Sequence, residues 1–223
     1  MLQLTTNNVG ELLVTYESYI NASLTMDKTD RELMSTWTAE FQVKQVNVTS
    51  HYRLDMTRHR EHSYKGKKTN PKWKDCLSLH HTEIKRSKAS YFAKESECLT
   101  TANSAGKDKV QTIHQMEKEI RKWRKSYRYL SNMCNSNNPN DQDAAGLCLV
   151  QNIKRDNYDI VFQRLLLLKL DAIENYLLQL NNALFDLEEC LKINLSEFLD
   201  KTRNIMTTLN ECYDKTNRNK DEK

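Results

Sequence analysis

The chain is poor in the two residues that punctuate a backbone. It holds 4 Gly and 2 Pro in 223 residues. Average usage, about 7% Gly and 5% Pro, would put roughly 27 of them in a chain of this length. Six breakers are too few for a sheet protein with many tight turns. They are also too few for a Gly-rich phosphate-binding fold, and collagen-like, linker-like and β-sandwich organisations fall on the same ground. Long apolar runs are scarce as well. The richest patch, Arg164–Leu170 (RLLLLKL), is too short and too charged to span a bilayer. The first residues, MLQLTTNNVG, carry neither the basic nor the apolar region of a signal peptide. Met1 is therefore expected to be an initiator placed before a mature chain that begins near Leu2.

Catalytic motifs are missing in the same way. The sequence has no Gly-rich nucleotide loop, no HExxH, no GxSxG and no P-loop. No carboxylate pair stands out from ordinary helix-surface charge, so an enzyme is not expected. His59 with His62, or Cys76 with His80 and His81, could seed a zinc site. Histidines on a basic surface are commoner, and neither a metal nor a cofactor is expected.

What the chain does have is helical texture. The breakers cluster at Gly10, at Gly66 with Pro71, at Gly106, and at Pro139 with Gly146. Each cluster is expected to mark a turn between helices. Val9, Leu12, Leu13, Tyr16, Tyr19 and Ile20 recur at helical spacing over 8–24. A second helix runs from Arg31, capped by Asp27 or Thr29, to about Tyr64, and the β-branched stretch Gln42–Ser50 can interrupt it. A third covers 72–101. A fourth covers 107–133, where Val110, Ile113, Met116, Ile120, Trp123, Tyr127 and Leu130 form one stripe. Turn chemistry fills 135–142.

The last part is the most helical. Phe162, Leu166, Ile173, Leu177, Leu180, Leu184, Leu187 and Leu191 make a continuous stripe. Leu165, Leu168, Ala172 and Tyr176 widen it to a second seam, the mark of a central helix. Asn194 with Glu197 reads as a capping pair that starts a final helix ending near Tyr213. The expected fold is all-α: a bundle of about five to six long helices cross-linked by disulfides. Residues 1–70 form an N-terminal helical segment and 71–223 a six-cysteine bundle, the two able to form one continuous domain.

Six cysteines, Cys76, Cys98, Cys134, Cys148, Cys190 and Cys212, are widely spaced and even in number. With the sequons at Asn21, Asn47 and Asn194, they favour an exported, glycosylated protein with three disulfides. Fifteen connectivities are possible. Cys76 and Cys98 are 22 residues apart, and so are Cys190 and Cys212. A helix of that length rises about 33 Å, against roughly 4.4–6.8 Å between bridged Cα atoms. Neither pair can close within one straight helix. Cys134 and Cys148 flank a turn and are the best single pairing. The other four are expected to tie different helices together.

Charge is divided along the chain. Residues 51–130 carry 20 Lys and Arg against 9 Asp and Glu, a net of +11, and residues 156–214 carry 5 against 11, a net of −6. Such asymmetry fits an anionic partner, pairing between the two parts, or two solvated faces. Two clusters concentrate the positive charge. One lies in His51–Lys74 and includes Arg58, Arg60, Lys67 and Lys68. The other is Lys118, Arg121, Lys122, Arg124, Lys125 and Arg128, around Trp123 and Tyr127. These ten cations are the candidate partner-binding surface, and the two aromatics are expected to pack in the core. Sulfated glycan, phospholipid head groups, polyphosphate and nucleic acid all offer dense negative charge. Nucleic acid is not expected for a disulfide-bonded exported chain.

An all-helical chain with WKDC at 73–76, Tyr91 before Cys98, the Cys134 and Cys148 pair and a closing Cys190 and Cys212 resembles secreted proteins of dipteran insects. It looks most like the mosquito salivary thirty-four-kilodalton family, and more loosely like helical secreted proteins of the tsetse-midgut type. The resemblance covers roughly residues 70–215. It implies a non-enzymatic salivary protein, delivered during blood feeding, that binds a protein or host factor. The expected function is a secreted interaction protein whose partner is an extracellular protein or an anionic glycan. The alternative is a helical carrier of a small apolar ligand, held along Tyr158–Tyr176.

Overall fold

The structure is a computed structural model that describes residues 6–65 and 70–221, with side chains from residue 9 to residue 215. It is all-α. In chain order the helices are α1 (Thr6–Lys65), α2 (Pro71–Leu79), α3 (His81–Ala102), α4 (Lys107–Asn137), α5 (Gln142–Arg155) and α6 (Tyr158–Asp221). Three disulfides cross-link them: Cys76–Cys212, Cys98–Cys190 and Cys134–Cys148. The expected pairing of Cys134 with Cys148 is present, and the other four cysteines join α2 and α3 to α6. Among the described residues no helix is long and apolar enough to cross a membrane.

Several expected boundaries are corrected. No break interrupts 24–31 or 42–50, because α1 is continuous through both. Within the β-branched stretch Val43 and Val46 are exposed and the inward side is polar. Gln45 and Thr49 are buried, and the Thr49 hydroxyl donates back to the Gln45 carbonyl at 2.8 Å. Asn194 starts no helix. It lies inside α6, buried, and its amide donates to the Tyr91 carbonyl at 2.9 Å. The expected third helix is two, α2 and α3, parted at His80.

The glycine clusters also divide. Gly10 and Gly146 sit inside helices, and only Gly106 among the described glycines takes a left-handed conformation, with φ of 75°. One turn uses neither Gly nor Pro. Between α5 and α6, Asn157 adopts φ of 48°, and its N–H bonds the Lys154 carbonyl. Asn is the side-chain-bearing residue that tolerates this region best. Starts are better marked. Asn70 accepts from the Lys72 N–H ahead of Pro71, and Asp141 accepts from the Ala144 N–H at 2.9 Å.

The helices make two compact units, Met1–Thr38 with Gly106–Gln179, and Ala39–Ala105 with Leu180–Lys223. The early part of α1 packs with α4 and α5, its later part with α3, and α6 likewise serves both units. In the first unit, Tyr127, Cys134, Leu149, Ile153 and Tyr158 form a core with Leu13, Tyr16 and Ile20 against it. The second unit has two cores, one around Trp73, Cys76, Ile205 and Leu209, the other around Met56, Tyr91 and Phe198.

Gly106 caps the start of α4 in the first unit. A Cβ there would lie 2.5 Å from the Tyr176 ring, whose hydroxyl is hydrogen-bonded to Thr38 at 2.7 Å. Gly106→Ala meets both a left-handed backbone and a ring that cannot move freely. Equilibrium urea unfolding is expected to show a loss of about 2–4 kcal/mol.

Candidate functional site

Four of the ten candidate cations come together in the first unit. Arg121, Arg124, Lys125 and Arg128 of α4 face Glu17, Ile20, Asn21 and Leu24 of α1 across a groove of about 410 Å³, with Tyr127 and Ser131 completing the lining. The helical spacing explains the set. Positions 121, 124, 125, 128 and 131 follow the i, i+3, i+4 rule, and so do 17, 20, 21 and 24.

The four cations are not equivalent. Arg124 is tied down: its guanidinium donates to Asp27 at 2.6 Å and to the Ser23 hydroxyl at 3.0 Å. It lines the groove as part of its floor, with its charge already met by Asp27. Arg121 leans on its own helix, donating to the Glu117 carbonyl at 3.3 Å. Lys125 and Arg128 are exposed and have no acidic partner among the described residues. Lys118 and Lys122 are also exposed on α4, with Lys122 held by Glu119 at 2.6 Å.

Tyr127 is buried, and its hydroxyl has no hydrogen-bond partner. Burial, assisted by the negative charge of Glu17, pushes its pKa to about 12. The hydroxyl thus stays protonated and remains a donor without an acceptor. Trp123 packs edge-on against Tyr158 with ring centroids 4.1 Å apart, so both aromatics are packed as expected. Behind the groove lies a cluster of buried charge. Lys169, fully buried, contacts Asp27 and Asp30 at 2.8 Å each and Glu117 at 3.9 Å. Arg31 clamps the same Glu117, at 3.0 and 3.3 Å. Three cations and three carboxylates hold α1, α4 and α6 together. This cluster was missed in the sequence. Its signal was a Lys on the inward stripe of α6 and a Glu on that of α4.

The other candidate residues lie elsewhere. Arg58 and Arg60 belong to the second unit, with Arg58 beside Asp55. Lys67 and Lys68 lie outside the described residues. In that unit Arg53 grips the buried Glu95 with its Nε 2.9 Å from both carboxylate oxygens. The opposite charges of the two halves meet at Lys94 and Glu197.

Asn21 and Asn47 are exposed. Asn194 is 3% exposed with its amide engaged, so this fold leaves no room for a glycan there. Cys76 is consumed by its disulfide and cannot ligate a metal, and His80 lies 3.0 Å from Glu83. Of the stretch expected to line an apolar pocket, Tyr158, Phe162, Ala172, Ile173 and Tyr176 are buried, whereas Ile160, Leu167, Leu168 and Leu170 are exposed. No family model, no curated protein and no solved structure matches the chain.

Proposed function

We propose that this chain is a non-enzymatic extracellular binding protein, of the salivary kind its cysteine layout resembles, that engages an anionic partner through the groove between α1 and α4. The partner is an acidic protein or a sulfated glycan. One observation carries the reading. Lys125 and Arg128 stand uncompensated beside a buried, unpartnered tyrosine hydroxyl, while neighbouring Arg124 is already neutralised by Asp27. Unspent positive charge next to a free donor attracts an oxyanion. Three disulfides and the absence of a membrane-crossing helix among the described residues are consistent with an extracellular setting.

The test is affinity for a sulfated glycan. Wild-type protein is expected to stay on a heparin column above physiological salt. Arg121→Glu, Lys125→Glu and Arg128→Glu combined should release it below that point, with the far-ultraviolet spectrum unchanged because all three side chains are exposed. Retention equal to wild type would move the site off this groove.

A further inference from the structure

The second unit has a cleft of its own. It lies between α3 and α6, has a volume of about 430 Å³, and is lined by Glu83, Arg86, Ser87 and Ser90 on one side and Lys201, Asn204, Ile205 and Thr208 on the other. Each side follows the same spacing, i, i+3, i+4 and i+7, so each is one face of one helix. Facing positions of two packed helices normally carry large apolar residues. To one side of this level are Trp73 and Leu209, and to the other Tyr91 and Phe198. Between the two cores the chain places Ser87 and Ser90, which are too small to fill the space.

Seven of the eight side chains that line the cleft are polar or charged, although the surface they present to it is mainly apolar. Ser87 is 7% exposed and its hydroxyl has no partner, an arrangement that costs about 1–3 kcal/mol unless something satisfies it. Lys201 donates to the Ser90 hydroxyl at 3.0 Å, which holds an ammonium over the cleft. Arg86 is exposed and has no acidic partner among the described residues. The Asn204 amide, the Thr208 hydroxyl and the Glu83 carboxylate complete the rim. Two cations suit an ester oxyanion. The serines, Asn204 and Glu83 suit hydroxyl groups, and the volume falls within the range of small-ligand sites.

We infer that this cleft binds a saccharide unit carrying a sulfate or phosphate ester, with the ester between Arg86 and Lys201 and a sugar hydroxyl on Ser87. The site shares no residue with the α1–α4 groove, so either can fail alone.

The experiment titrates the full chain carrying the three α4 charge reversals, which removes the first groove from the readout. Glucosamine 6-sulfate, glucose 6-phosphate, unmodified glucosamine, and inorganic sulfate and phosphate are added in turn. Backbone amide shifts are followed by NMR. At least one ester is expected to shift amides of α3 and α6 around residues 83–90 and 201–208. The better of the two esters names the source of the oxyanion. The unmodified sugar and the inorganic anions should bind at least about tenfold more weakly. Arg86→Ala with Lys201→Ala should weaken the ester at least about tenfold with the melting temperature unchanged, and Ser87→Ala about threefold with the melting temperature raised, since it removes an unpartnered buried hydroxyl. No shift with either ester overturns the inference. So does binding that survives loss of both cations, or inorganic anions that match the esters.

Discussion

Lys169→Met is expected to lower the unfolding free energy by about 3–5 kcal/mol, the cost of removing one partner from a buried ion pair. The side chain is 0% exposed and reaches three carboxylates from two other helices. Methionine fills similar volume, so the loss comes from the carboxylates left facing one another and not from a cavity. Guanidinium unfolding at pH 7 measures it.

The effect has a pH signature. Burial pushes the Asp27 carboxyl up. The hydrogen bonds and charges of Lys169 and Arg124 together outweigh that push and hold its pKa below the ordinary 3.8. A carboxyl with a depressed folded pKa contributes stability above its unfolded value, and that stability disappears as pH falls through the folded value. Without Lys169 the depression shrinks, so the variant has less to lose on acidification. The gap between wild type and Lys169→Met should therefore narrow as pH falls from 7 to below 4. A gap that stays constant over that range would mean the ion cluster is not what holds the three helices.

The second large effect concerns the disulfides, which are nested. Cys76–Cys212 spans 136 residues, Cys98–Cys190 spans 92 and Cys134–Cys148 spans 14, each inside the last. Nesting changes what each bond constrains. With Cys98–Cys190 intact, opening Cys76–Cys212 frees only the 22 residues on either side. The chain-entropy relation then gives about 4 kcal/mol for serine replacement of either of these two bonds alone. Without both, the freed loop is far longer, and the loss rises to roughly 8–9 kcal/mol, about 1 more than the two single losses added. That is comparable to the whole stability of an ordinary domain, about 5–15 kcal/mol. Denaturant unfolding of the two single-bond variants and the combined variant, followed by circular dichroism, checks the excess. Strictly additive losses would show that the bonds act independently.

Those bonds also show where sequence reasoning stopped short. The two 22-residue spacings served only to exclude pairings within one helix. They hold more. Two antiparallel helices keep a constant sum of paired residue numbers, and 76 with 212 and 98 with 190 give the same sum. Equal spacing on both strands was a register mark for α6 against α2 and α3. Other parts were readable for plain reasons. The α4 stripe and the Cys134 turn depend on spacing alone, and spacing is visible in a sequence. Asn194 resembled a cap because Asn with a Glu three residues on is what a cap looks like. The Tyr91 carbonyl that takes its amide lies about a hundred residues away and leaves no local trace. Of the candidate groove, the α4 half was legible as a basic stripe. The α1 half was not, since Glu17, Asn21 and Leu24 look like any helix surface, and neither the neutralised state of Arg124 nor the orphaned Tyr127 hydroxyl can be seen without the fold.

The turn at Asn138–Asp141, largely exposed, lies inside all three nested bonds. Every disulfide therefore joins the chain before this turn to the chain after it. A protease that cuts there would produce two polypeptides still fastened at three points, each unit keeping its helices and its cross-links. Cleavage at that site would be invisible by mass without a reductant, apart from one added water, so this exposed turn is also a place where the backbone can be severed without losing the molecule.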